Sequence, residues 1–245
     1  MEDGSMRRVL VLILFISIMT LGVTSMEALG FLGIGNTAKW KEEVLLHDGR
    51  KIVVERWQKH GGRGEIGQSP IKEHTLTFTL PGTKRVITWK DEYSDDVGHS
   101  NFDLVALHIM HSTPYIITTA YGCLAYNKWG RPNPPYIIFK YEGTTWRRLQ
   151  LKDLPSEFNN VNLVINTSAH EEELASKKLV SAEKVKALNS SLTQEEYKRI
   201  IRTSINPRLL QQGCPVLERR KDGWYSPGGA KAPQPIAPKN SENKK

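Results

Sequence analysis

Leu76-Thr77-Phe78-Thr79-Leu80-Pro81-Gly82-Thr83-Lys84-Arg85-Val86-Ile87-Thr88-Trp89-Lys90 decides the fold class. Leu76, Phe78 and Leu80 alternate with threonines, Pro81-Gly82 turns the chain, and Ile87 and Trp89 alternate with Val86, Thr88 and Lys90. Successive side chains of a strand point to opposite faces, so each arm has one apolar face and one polar face. The two arms together read as an antiparallel hairpin.

Working outward, the same pattern recurs. Residues 44–46 and 51–57 flank His47-Asp48-Gly49-Arg50, and Asp-Gly supplies the positive φ of a tight turn. Between these hairpins, residues 59–69 carry four glycines and read as a mobile loop; residues 91–101 form a polar, acidic connection. Downstream, 104–110 pairs with 115–119 across Ser112-Thr113-Pro114, and 136–141 pairs with 145–149 around Glu142-Gly143. Residues 161–165 close the series. The expectation is a mainly β domain over 40–165, an antiparallel meander forming a sandwich, barrel or partial propeller.

After Asn166 the chain changes character. Residues 169–180 have helical composition, Ser181 can cap a second helix to about Leu188, and Thr193 with Glu196 is a capping box for a third through Tyr197 and Ile201. The C-terminal third also holds most of the basic excess. From Asn166 to Lys245 there are 15 Lys/Arg against 9 Asp/Glu, within an overall net charge of +8. From Asp222 onward Gly, Pro, Lys and Asn dominate, and 222–245 reads as a disordered tail.

The N-terminus carries an address. Val9 to Val23 is an unbroken apolar run behind Arg7 and Arg8, with no charge inside it. A basic flank and a short apolar core are what the export machinery reads. Residues 1–25 are therefore a signal peptide or, uncleaved, an N-terminal membrane anchor, with 26–39 as a linker. Val23 and Ser25 suit a cleavage site that frees Met26. The mature chain is expected in the periplasm, or held at the inner membrane by its N-terminal segment. In that compartment Cys123 and Cys214 can form a disulfide, closing a loop of about 90 residues; free thiols are the alternative.

Two candidate sites follow. The densest aromatic segment, 121–136, contains Tyr126, Trp129, Arg131 and Tyr136 among three prolines. A proline-stiffened loop loses little entropy on binding, and Tyr, Trp and Arg are the types that carry interface energy. If this loop binds, Trp129 and Arg131 should be exposed and adjacent; if it is structural, Trp129 should be buried against the sheet. The second candidate is Asp95, Asp96, His99 and Asp103, which in one cleft could serve hydrolase-like acid–base chemistry with or without a divalent cation. His108 and His111 are poorly spaced for a metal on a strand, and neither cysteine has a histidine or second cysteine at ligand spacing, so no metal site is assigned.

No Walker-type loop, G-x-S-x-G elbow, H-E-x-x-H or dinucleotide fingerprint is present, and no cofactor is expected. The leading reading is a non-catalytic envelope module that binds a protein or cell-wall polymer, with no nucleic-acid partner. The alternative is the hydrolase.

Residues 40–165, above all Lys41-Glu42-Glu43-Val44-Leu45-Leu46-His47-Asp48-Gly49-Arg50 and Tyr126-Asn127-Lys128-Trp129-Gly130-Arg131-Pro132-Asn133-Pro134-Pro135, resemble a group of short exported hypothetical proteins of Gram-negative bacteria. The likeness continues through Leu188-Asn189-Ser190-Ser191-Leu192-Thr193. It implies a bacterial envelope address and brings no activity, ligand or site residue.

Overall fold

The computed structural model describes residues 37–63, 69–207 and 213–232. The expected signal peptide or anchor, the centre of the glycine-rich loop and residues 233–245 lie outside the described residues. Among those described, no helix is long and apolar enough to cross a membrane.

Two antiparallel meanders dominate. The first sheet runs in the order β1 (Thr37–Leu45), β2 (Lys51–His60), β3 (Ile71–Thr79), β4 (Val86–Asp91). The second runs β5 (Phe102–Met110), β6 (Thr113–Ala120), β7 (Tyr136–Glu142), β8 (Thr145–Leu149). Neighbours in each sheet are neighbours in sequence, the usual order of an antiparallel meander. Neither sheet closes on itself, so a barrel is excluded for the described residues.

The quoted hairpin pairs as its alternation demands. Leu76 faces Trp89 and Phe78 faces Ile87 in register, and all four are buried. They join Val44, Val54, Leu104, Leu107, Ile109, Ile116 and Ile137, so one apolar cluster takes residues from both sheets. Each such side chain withdrawn from water stabilises the fold by about 1.5–3 kcal/mol. The second sheet is covered on its other face too: Val105, Ile117 and Ile138 pack with Phe158, Ile165 and Ile200 from the later chain. This explains why β5 is buried almost continuously instead of alternating.

Several expectations are corrected. The β5–β6 turn is His111-Ser112, both at positive φ, one position earlier than the expected Ser112-Thr113-Pro114. Two successive positive-φ residues match the right-handed strand twist of a two-residue hairpin. Residues 162–165 are buried and Val161 half-buried, but the stretch 161–165 is not a strand. The side chain of Asn162 replaces the ladder there, accepting from the Leu107 N–H at 2.9 Å and donating to the Leu107 carbonyl at 2.8 Å and the Leu45 carbonyl at 2.9 Å.

The helical segment is shorter than its composition suggests. One helix spans only Glu171–Ser176, and the expected 193–196 capping box does not form: a single 3-10 turn, Glu195–Tyr197, starts from Gln194 with no side-chain cap. The helix Ala182–Asn189 does start on Ser181, whose hydroxyl accepts from the Lys184 N–H at 3.2 Å. Both helices lean on β1, where Trp40, Leu174, Val180, Val185 and Leu188 cluster. Val180 also bonds Lys41 and Glu43 through its backbone, capping the β1 edge.

Residues 222–232, expected to be disordered, contain half of a hairpin, β9 (Glu218–Arg220) with β10 (Gly223–Tyr225). Trp224 anchors it. The indole is buried and donates to the Asp96 carbonyl.

Candidate functional site

The aromatic segment 121–136 is half helix, not all loop. Gly122, at φ 79°, turns the chain out of β6 into α1 (Gly122–Lys128). Cys123 in its first turn is joined to Cys214 by a disulfide, with Cα atoms 5.3 Å apart. Asn127 donates to the Pro215 carbonyl at 3.0 Å and accepts from the Leu217 N–H at 2.9 Å. The segment 214–217 is thus strapped onto the helix.

The four aromatic and arginine candidates do not share one environment. Tyr126 and Tyr136 are buried, and the Tyr136 hydroxyl donates toward the Glu196 and Arg199 carbonyls, at 2.9 and 3.1 Å. Burial raises the Tyr136 hydroxyl far above its ordinary pKa, so it stays protonated. Arg131 is half-buried and occupied internally. Its guanidinium lies 4.8 Å from the centre of the Tyr126 ring and donates to the carbonyls of Pro215 and Cys214 at 3.0 and 3.2 Å. Trp129 is half-buried, its ring centre 4.7 Å from that of Phe102, with Nε1 3.3 Å from Asn101 Oδ1. It belongs partly to the core, and Trp129 and Arg131 do not form a free pair.

What the segment does build is a groove that sequence reasoning missed. Pro132, Asn133 and Pro134 face Arg148, Leu149, Gln150 and Leu151 across a cavity of about 380 Å³. Prolines and leucines give it stiff apolar patches within a lining that is polar for its larger part, with Asn133, Tyr136 and Gln150 among the walls. Arg148 supplies the charge: exposed, it lies 5.4 Å from the centre of the Trp129 ring and donates to the Trp129 carbonyl at 3.2 Å. Arg148 belongs to β8, 12 residues past the segment singled out in the sequence, and only the antiparallel return of the chain reveals it.

The acidic candidates are held in four different ways. Asp95 is exposed, and its carbonyl accepts from Arg63. Burial would raise the Asp96 carboxyl, but Ser94 and Lys128, the latter at 2.9 Å, outweigh it and keep it below its ordinary value. Burial lowers His99, which packs edge-on to Tyr121 with ring centres 4.7 Å apart. Asp103 lies inward, lining a cavity of about 10 Å³ with Arg56 and His74. It retains some accessible surface but lies deep among protein atoms, and desolvation pushes its carboxyl up to about 7, against the pull of Arg56. Among the described residues no three His, Cys, Asp or Glu side chains converge as metal ligands.

The interior around Asp103 is unusually polar. Glu42, Arg56, Gln58, His74 and Asp91 are all buried on the inward face of the first sheet. Asp91 fastens the end of that sheet to the start of the second. Its carboxylate accepts from the N–H groups of Asn101 and Phe102 at 2.6 and 2.8 Å and from the Asn101 amide at 3.0 Å. Comparison with protein families, curated proteins and solved structures finds no match for this chain.

Proposed function

We propose that this chain is an exported cell-envelope protein and a non-catalytic binding module. Its ligand surface is the groove between residues 132–134 and 148–151, and its ligand is a cell-wall polymer that carries carboxylates. The observation that carries this reading is Arg148, held over Trp129 and presented at the rim of a groove walled by Pro132, Asn133, Pro134 and Gln150. An oriented guanidinium recognises a carboxylate through paired donors, and the stiff walls cost little entropy to present. The Cys123–Cys214 bond and the apolar run from Val9 to Val23 support an oxidising compartment. In this reading the two meanders form a β-sandwich around their common apolar cluster.

The binding reading is favoured over the hydrolase alternative by the placement of Asp103 inside while Asp95 is exposed and Asp96 is tied to Lys128. Co-sedimentation with purified peptidoglycan tests the proposal. Retention of wild type and at least about tenfold weaker retention of Arg148→Ala is the expected result, the size of a good charge-assisted contact. Equal retention of the two proteins, or none by wild type, overturns it.

A further inference from the structure

His47 stands in the turn between β1 and β2, and His108 is fully buried on β5. His111, near His108 in sequence, falls in the hairpin turn and is exposed. The histidine that the fold brings to His108 is His47, with ring centres 6.0 Å apart. Phe158 packs against both, edge-on to His47 at 4.9 Å and stacked on His108 at 4.6 Å.

The Nδ1 atoms of both rings are buried and have no hydrogen-bond partner. Orphaned polar atoms are rare in folded interiors, and each calls for an explanation; two on neighbouring rings call for one explanation together. On His108 the orphan is a lone pair. Its Nε2 meets the Asn160 carbonyl at 2.9 Å. A carbonyl only accepts, so Nε2 carries the hydrogen, and burial keeps the ring neutral. A histidine that gives its far N–H to a backbone carbonyl is fixed in tautomer and orientation, as metal-ligating histidines are.

We propose that His47 and His108 hold one Cu(I) ion between their Nδ1 atoms. The span suits it. A ring nitrogen sits about 1 Å from its ring centre and a metal–imidazole bond is about 2 Å, so an in-line N–Cu–N bridge sets ring centres about 6 Å apart. The ligand count selects the ion. No third His, Cys, Asp or Glu joins the pair among the described residues. Zn(II) and Cu(II) take about four ligands, whereas closed-shell Cu(I) is satisfied by two. Charge selects it as well. Desolvation costs rise with the square of the charge, so a monovalent ion is the one that two neutral rings beside Phe158 tolerate. The Asp48 carboxylate lies near enough to favour positive charge at His108, and it offsets part of that cost. This site is separate from the groove beside Arg148 and does not depend on it.

Silver titration of the purified, disulfide-bonded chain is the test, because Ag(I) shares the charge and in-line preference of Cu(I) and needs no reductant. Both cysteines are in the disulfide, so no thiol competes. Nitrogen NMR of the histidine rings reads the site alone, whatever silver binds at methionines. One ion per chain is expected to shift the Nδ1 signals of His47 and His108 together, before those of any other histidine. Zn(II) in equal amount should leave the silver in place, and Cu(I) added without oxygen should displace it. His47→Phe and His108→Phe should each weaken binding at least about tenfold. Unchanged affinity in both variants overturns the proposal. So does wild-type protein that takes up no silver, shifts other histidines first, yields the ion to Zn(II) or keeps it against Cu(I), whether or not the variants fold.

Discussion

Arg56 donates to Glu42 at 3.0 Å across β1 and β2, with 3% and 0% of the two side chains left in contact with solvent. The pair is fully supported. Glu42 also accepts from the Trp40 indole at 2.9 Å, and the Arg56 guanidinium lies 5.1 Å from the centre of the Trp40 ring. Two charges out of water are tolerable only when each satisfies the other. The same strands carry Val44 and Val54 further along the same face, so the sheet turns from an apolar half to an ionic half within one strand.

Breaking this pair from one side should therefore cost far more than a surface charge does. Glu42→Ala leaves a buried guanidinium without its counter-charge, and a loss of about 3–5 kcal/mol is expected. Urea unfolding of Glu42→Ala, Arg56→Met and the double variant measures it. The double variant should recover much of the loss, because no orphan charge remains. If it is as unstable as the two single losses added together, the pair is not coupled.

Asp103 should titrate near neutrality. Its carboxyl moves from 3.8 to about 7 chiefly through desolvation. With the folded value raised above the unfolded one, the folded state holds the extra proton. Asp103 thus contributes most stability below pH 3.8, and that contribution fades as pH rises through about 7. The carboxyl-carbon NMR resonance absent from Asp103→Asn reports this directly. A midpoint near 4 would contradict the buried placement.

His108 has the opposite sign. It is buried and stacked on Phe158 at 4.6 Å, and burial lowers its pKa from 6.5 to about 4. The folded state here holds fewer protons, so stability is full above pH 6.5 and drains as pH falls through about 4. Replacing it with Phe should flatten the acid side of the stability profile. An unchanged acid limb would show that another group governs it.

The hairpins were legible because each carries two independent signals, alternation in the arms and a turn dipeptide between them. Leu76 with Trp89 and Asp48-Gly49 are both examples. The polar interior was legible in principle too. Glu42, Arg56 and His74 occupy the same inward parity as Val44, Val54 and Leu76, but polarity reads as exposure unless parity is followed through. Residues 161–165 and the 193–196 box were misread for a different reason. The apolar side chains of 161–165 join tertiary clusters and Asn162 makes side-chain bonds that no local pattern announces, while at 193–196 the turn starts from Gln194 with no side-chain cap. The groove beside Arg148 needs β8 laid back beside residues 132–134, which is a property of topology.

Reduction of Cys123–Cys214 should destabilise the whole domain, not only the strap. The bond spans 91 positions, and releasing a loop of that length restores unfolded-state entropy worth about 4–5 kcal/mol. A melting temperature that falls in reductant, matched by the Cys123→Ser/Cys214→Ser double variant, is the expected result. Equal melting with and without reductant would show that Asn127 and Arg131 hold residues 214–217 unaided.

Trp129 and Arg148 should separate stability from binding. Trp129 packs on Phe102 and Phe139, with ring centres 4.7 and 6.3 Å away, so truncation opens a hole beside the common apolar cluster. Complete burial would predict a loss of about 3–5 kcal/mol, and half-burial places Trp129→Ala toward the lower end of that range. Arg148 is exposed, so Arg148→Ala should stay within about 0.5 kcal/mol of wild type in stability. Its effect should appear in polymer retention instead, because the guanidinium is the groove's charged rim. Trp129→Phe completes the set: it keeps a ring against Phe102 and a carbonyl for Arg148, and loses only the indole contact to Asn101. It should bind like wild type. If Trp129→Phe loses retention while Arg148→Ala keeps it, the indole itself is the ligand contact and the groove is not the binding surface.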